Sequence, residues 1–149
     1  MLGKKVVVKF KDGRILKGWT ANISPNKEVF YLHKHKELRK KDKKDIVEVK
    51  LSSLRAVFFV KSHKGNKDYK EAKTFEGQPK LSPSQRKIIV TCKDGEKLYG
   101  TTLGYNPNKK GFFIVPIDPK DNNERIFIIQ DAVKSVELLK FDKNGYKLI

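Results

Sequence analysis

Apolar and polar side chains alternate along most of this chain. Val6, Val8 and Phe10 share one phase, Lys5, Val7 and Lys9 the other, and Phe30, Leu32, Val47 and Val49 continue the pattern after polar breaks. A period of two sends successive side chains to opposite faces of a strand, so such runs predict strands with one buried face. Ten strands are expected, near 5–11, 14–23, 28–33, 46–50 and 56–61, and near 87–93, 96–104, 111–116, 124–129 and 135–141. Residues 62–86 between the two sets are polar, with Gly, Pro and Ser, which predicts a linker. A helical turn is expected at Ser82-Pro83, where Ser caps and Pro takes the first helical position.

The two sets are one unit written twice. Aligning Lys5 with Lys87 and running without a gap to Leu32 against Ile114 gives twelve identities in twenty-eight columns, among them Asp12/Asp94, Gly13/Gly95, Gly18/Gly100, Thr20/Thr102 and Pro25/Pro107. After a variable loop the match resumes three positions out of step, with Val47, Val49, Val57 and Phe59 meeting Ile126, Ile128, Val136 and Leu138. Two copies of this length are too few for a solenoid and indicate a duplicated small domain.

Turn residues narrow the fold. Asp12-Gly13 and Asp94-Gly95 each separate two alternating runs, the signal of a hairpin whose type I′ turn needs positive φ at both central residues. Gly18 and Gly100 lie inside the longest strand, where a glycine weakens the ladder unless the strand bends sharply. Five short strands with a bent second one suggest an SH3-like or Sm-like small barrel. The expected architecture is all-β: two tandem five-stranded barrels, residues 1–61 and 87–149, packed against each other across the 62–86 linker.

Positions apolar in both copies should face each interior: Val6, Val8, Phe10, Leu16, Phe30, Leu32, Val47, Val49, Val57 and Phe59 with their counterparts. Cys92 replaces Phe10 in that set and is expected to be a buried, inert thiol. The opposite faces differ. The second copy carries Phe113, Val115, Phe127 and Ile129 where the first has Tyr31, His33, Glu48 and Lys50, and the first offers Phe58 and Val60 on its last strand. Exposed apolar patches need a cover. Packing of one barrel on the other through these patches supplies it in a monomer; a homodimer is the competing explanation.

Charge then changes the picture. Lys and Arg number 34 against 17 Asp and Glu, a net charge of +17 on 149 residues. Such an excess attracts polyanions, nucleic acid before anionic membrane. A lysine-rich, thermophile-like surface is the alternative, although it would balance Lys with Glu. Residues 1–64 hold 18 basic and 6 acidic side chains, whereas residues 87–149 hold 11 and 8. Much of the excess lies in the insertion HKHKELRKKDKKD at 33–45, where the second copy has the shorter PIDPKDNNER at 116–125. Lys34, Lys36, Arg39, Lys40, Lys41, Lys43 and Lys44 there are suited to neutralising phosphates by counterion release without base preference. A solvated loop that merely prevents sticking is the plainer account. Lys17 and Trp19 lie on the outward phase of the second strand. A lone Trp usually sits under a loop, but an aromatic platform in a basic field also suits stacking on a base.

Other chemistry is sparse. One cysteine permits no intrachain disulfide and no Cys-rich zinc site. His33 and His35 are spaced for two ligands on a strand, but no third follows, so no metal and no cofactor is expected. No nucleophile with a base, glycine-rich phosphate loop or carboxylate pair is placed by motif, and an enzyme is not expected. No apolar stretch approaches the roughly 20 residues that span a bilayer, and a soluble cytoplasmic protein is the simplest reading.

The segment GYNPNKKGFFIVPIDPKDNNERIFIIQDAVKSVELL in the second copy resembles a bacterial domain of unknown function with the running signature DGxxLxGxTxGYxPxxxGFFxxPxDPxxNNxRxFVxxxAVKxVxFL. The likeness covers nearly all of residues 87–140 and continues more weakly in PNKEVFYLH and LRAVFFVK of the first. Domains of that kind occur alone or joined to bacterial regulatory and signalling chains, so the resemblance implies a family and no reaction. A looser likeness to Sm-like proteins fails at their Arg/Lys-Gly step, replaced here by Ser52-Ser53 and Asp131-Ala132, so neither a uridine pocket nor a ring is implied. Two binding functions follow as expectations. One is a nucleic-acid module acting through the basic first copy. The other is a regulatory adaptor that meets a protein partner through Tyr105, Asn106, Asn108, Asn122, Asn123 and Arg125, although Asn in such loops more often fixes turns.

Overall fold

The alternating runs form β1 (Lys4–Phe10), β2 (Ile15–Thr20), β3 (Val29–His33), β4 (Ile46–Lys50) and β5 (Leu54–Val60) in the first half. The second half forms β6 (Arg86–Cys92), β7 (Lys97–Thr102), β8 (Gly111–Pro116), β9 (Asn123–Ile129), β10 (Val133–Asp142) and β11 (Gly145–Leu148). This computed structural model describes residues 3–21, 23–36, 45–63, 86–118, 120–142 and 145–148. The expected turn at Ser82-Pro83 and most of the linker lie outside the described residues. A single 3-10 turn, at Leu51–Ser53 and again at Gln130–Ala132, precedes the fifth strand of each repeat, so the two copies match element by element up to β10. β11 is the one strand that alternation did not announce; the Asn144-Gly145 pair ahead of it is a hairpin signal that could have.

All eleven strands belong to one antiparallel sheet in the order β11-β10-β6-β7-β8-β9-β5-β1-β2-β3-β4. The expectation of two separately closed barrels needs correcting here, because this order does not return on itself. The reason is the use of edges. β5 gives one edge to β1 and the other to β9, so neither is left for its own β4. The pairing of Ala56 with Ile128, Val57 with Phe127 and Phe58 with Ile126 makes the two halves one sheet.

That pairing exchanges side chains between the cores. Phe127 and Ile129 of the second half lie in one cluster with Val6, Val8, Phe30 and Leu32 of the first. Ala56, Phe58 and Val60 of the first half lie in the other, with Ile88, Val90, Cys92 and Ile114 of the second. Successive residues of β5 therefore serve different cores, and all seven are buried. The apolar patches of the sequence are thus covered by the other half, as expected of packing within one chain. Two positions depart from expectation. Leu16 is 37% exposed although its counterpart Leu98 is buried, and Val115 is 51% exposed and takes no part in the covered patch.

A polar clamp locks the same seam. Arg55 is buried on β5, yet its guanidinium crosses to the β6–β7 turn, with Nε 3.1 Å from Asp94 Oδ2 and an Nη 3.0 Å from Glu96 Oε2. A second Nη donates to Cys92 Sγ at 3.4 Å. Asn122 fastens the other end of the seam, accepting from Ser62 N at 3.1 Å and donating to Ser62 O at 2.9 Å.

The two DG turns also differ from expectation. Lys9 pairs with Ile15, Phe10 N donates to Arg14 O at 2.9 Å, and only Gly13 has positive φ, +92°. This is a three-residue loop with glycine in the left-handed position, not a type I′ turn, and Gly95 at +94° repeats it. Asp12 keeps a negative φ, and its carboxylate braces the turn by accepting from Arg14 N at 2.9 Å, as Asp94 does from Glu96 N at 3.0 Å.

β2 and β7 end sooner than alternation suggested, at Thr20 and Thr102. Gly18 explains the geometry. A Cβ there would lie 2.5 Å from His33 O, so β3 crosses too close for any side chain, and Gly100 meets Val115 O in the same way. After the single Trp19–His33 pair the strands part, and the buried Thr20 hydroxyl donates to Tyr31 O at 3.0 Å in place of a ladder bond.

Candidate nucleic-acid interface

Three adjacent strands bring the expected basic residues together. Trp19 on β2 pairs with Lys5 on β1 and with His33 on β3, and alternation puts all three on the outward face. His33 opens the basic insertion, so Trp19 sits at its root. β1, β2 and β3 carry no carboxylate; of their lysines, Lys5 and Lys17 share this face, Lys9 lies 3.9 Å from Glu96 across the seam, and the next strand, β4, sets Glu48 beside Tyr31. The neck of the insertion is closed by Lys34 N donating to Asp45 O at 2.8 Å and by His35 Nε2 lying 3.1 Å from Asp45 Oδ2. Gly3 N donates to Lys36 O at 2.9 Å, which ties the neck to the start of β1. Lys17, Lys34 and Lys36 are exposed on this face or its margin. Arg39, Lys40, Lys41, Lys43 and Lys44 lie outside the described residues.

Trp19 itself is half-buried under the segment that leaves β5. The His63 ring stands edge-on to it, with centroids 4.7 Å apart and planes at 79°, and His63 Nε2 lies 2.9 Å from Gly18 O. Lys17 Nζ donates to His63 O at 2.9 Å, and Lys5 Nζ reaches Lys61 O at 3.4 Å. Sequence reasoning missed Lys5, His33 and His63 as members of this surface. Lys5 and His33 are legible from strand phase, whereas His63 follows the last strand of the first half and comes over Trp19 only through the tertiary path.

The second candidate set does not form one site. Tyr105 donates to Gln130 Oε1 at 3.0 Å and packs edge-on against Phe112, and Asn106 Oδ1 accepts from Asn108 N at 2.9 Å to hold its own turn. Asn122, Asn123 and Arg125 lie at the turn end of the β8–β9 hairpin, whereas Tyr105 lies near its open end, where Gly111 pairs with Ile129. Six residues of strand separate the ends, roughly 20 Å. Asn122 is occupied at the seam, and the Arg125 guanidinium lies 4.3 Å from the Phe59 ring centroid and 4.9 Å from that of Phe113. Asn122 and Arg125 thus help to hold the two halves together.

A family model matches residues 2–140, across both repeats and the segment between them. The chain belongs to DUF6982, a family of unknown function. No characterised protein and no solved structure matches it.

In this DUF6982 chain the parting of β7 from β8 opens a groove of about 490 Å³, lined in part by Leu103, Tyr105, Phe112, Phe113 and Val115. Leu103 is 78% exposed beside it. The same parting in the first half opens a groove past Lys27, Tyr31 and His33. The duplication therefore gives two equivalent clefts with different linings, the first-half one mixing Lys27, Glu28 and His33 with Phe30 and Tyr31. Among the described residues no three His, Cys, Asp or Glu side chains are grouped to hold a metal ion, and no helix is long and apolar enough to cross a membrane.

Cys92 is fully buried, and desolvation raises its thiol above the usual value of 9.0, against the lowering effect of Arg55. It should therefore resist a disulfide reagent at pH 8 in the folded chain and react within the mixing time in denaturant. Rapid labelling without denaturant, followed by absorbance of the released thiol, would contradict this placement.

Proposed function

We propose that this chain is a non-catalytic protein that binds single-stranded nucleic acid, RNA or DNA, in the bacterial cytoplasm. Each half is read as an SH3-like or Sm-like unit that lends its neighbour one strand. The observation that carries the reading is the Lys5–Trp19–His33 row, which puts an aromatic ring and lysines at the root of the basic 33–45 insertion, on three strands that carry no carboxylate. Lysines on such a face neutralise phosphates without reading bases, and the insertion extends the positive field. The second half lacks the arrangement, since Tyr99, Thr101 and Val115 stand where Lys17, Trp19 and His33 do. One site per chain follows.

Trp19 is the only tryptophan, so its fluorescence reports the site directly. Titration with a labelled single-stranded oligonucleotide should show tight binding at low salt, weakening with a log–log slope of about −0.7 per phosphate neutralised. Lys5→Ala and Lys17→Ala should each flatten the slope by about 0.7, and replacing the insertion's Lys and Arg by Ser should flatten it most. No binding at 20 mM salt, or a slope unchanged by the Ser variant, would end this reading; the charge would then be a thermophile-like surface.

A second reading, a regulatory adaptor for a protein partner, draws on the apolar β7–β8 groove with its exposed Leu103 and Val115. It predicts a defined protein that co-purifies after nuclease treatment and is lost with Leu103→Ser or Tyr105→Ala.

A further inference from the structure

The contact between the halves is head-to-tail: the last strand of one repeat, β5, pairs with the fourth strand of the next, β9. A contact of this kind leaves the complementary edge free at each end and can in principle repeat from chain to chain. Among the described residues the free edges are β4, equivalent to β9, and the Val133–Leu138 part of β10, equivalent to β5, with β11 pairing only from Leu139 onward. We propose that this chain is built to use the contact once, and that side chains on the two free edges exclude the second copy that would otherwise dock there.

The repeat makes the comparison exact in register. The contact buries Phe127 and Ile129 from β9; the equivalent residues on β4 are Glu48 and Lys50, both exposed. From β5 it buries Ala56 and Phe58; the equivalent residues on β10 are Ser135 and Glu137, also exposed. Phe113, packed on the first core, becomes Tyr31, which is 51% exposed. At every one of these positions the internal contact is apolar and the free edge is polar, so a repeated contact would bury charge without a partner.

The polar clamp is reversed as well. Arg55 crosses to Asp94 and Glu96, but its equivalent Lys134 would cross to Asp12 and Arg14 of a second copy. Asp12 is already taken by its own Arg14, at 2.7 Å, and Arg14 stands where an acid is needed. The register that faces residue 55 with 129 would also face Lys134 with Lys50, a like-charge pair. Charged edges of this kind stop sheets from adding further copies.

The test rebuilds the internal contact on the free edges and follows mass by sedimentation velocity. The unaltered chain should stay at its monomer mass of 17.2 kDa as concentration rises. A receiving variant, R14E/E48F/K50I, and an offering variant, K134R/S135A/E137F, should each remain near that mass and double it when mixed. All six changes in one chain should give species larger than a dimer. Self-association of the unaltered chain through these edges, or two folded variants that mix without a dimer, would overturn the proposal. Should an apolar variant not fold, R14E/K50E decides the charge argument alone: its mass should rise with concentration at low salt and return to the monomer value in 1 M salt. A mass fixed at the monomer value would refute it.

Discussion

Phe127→Ala should cost about 3–5 kcal/mol of stability, the range for removing a large buried aromatic. The more telling expectation concerns where the loss appears. Phe127 belongs to the second repeat but is fully buried in the core formed by Val6, Val8, Phe30 and Leu32 of the first, with its ring 4.8 Å from that of Phe113. A void there removes contacts from the first half. Amide exchange should accelerate throughout β1 and β2 as much as in β8 and β9. Denaturant unfolding should stay a single transition, shifted to lower midpoint, because the shared cores make the two halves one cooperative unit. Protection lost only within residues 86–142, or two resolved transitions, would show that the exchange of side chains between cores has no energetic weight.

The second large effect is expected at the strand glycines. Gly18→Ala would place a Cβ 2.5 Å from His33 O, well inside van der Waals contact, and the obstacle is backbone that cannot rotate away. The third strand must shift, at a cost of about 3 kcal/mol, the upper part of the range for overpacking. Gly100→Ala should behave alike, since its neighbour is the Val115 carbonyl. The turn glycines offer a control. A Cβ at Gly13 or Gly95 meets nothing within 4 Å, so alanine there is opposed only by positive φ, about 1–2 kcal/mol. Chemical denaturation of the four variants should rank the strand glycines as the more damaging pair. Equal or inverted losses would mean that close passage of the neighbouring strand is not what selects glycine at 18 and 100.

For the candidate site, the contrast between the repeats carries the argument. Both halves have the same strands and the same parted second and third strands, yet one surface bears Lys17, Trp19 and His33 and the other Tyr99, Thr101 and Val115. The scaffold is duplicated and the outward residues are not. Surface residues answer to partners more than to the fold, which is why the difference falls there.

Alternation and turn residues, which are local, determined the strands, the DG hairpins and the duplication; they predicted ten of the eleven strands to within about three residues at each end. They also marked Phe58, Phe127 and Ile129 as apolar residues in need of a cover, because a period of two assigns each side chain to a face whatever lies beyond it. What covers that face is a long-range matter. Only the tertiary structure decided that β5 pairs with β9, that the sheet therefore stays open, that Arg55 reaches Asp94 and Glu96, and that His63 comes to rest on Trp19. A backbone edge offers the same donors and acceptors to any strand, so its partner is chosen by packing and charge across the whole chain, which no short stretch of sequence contains.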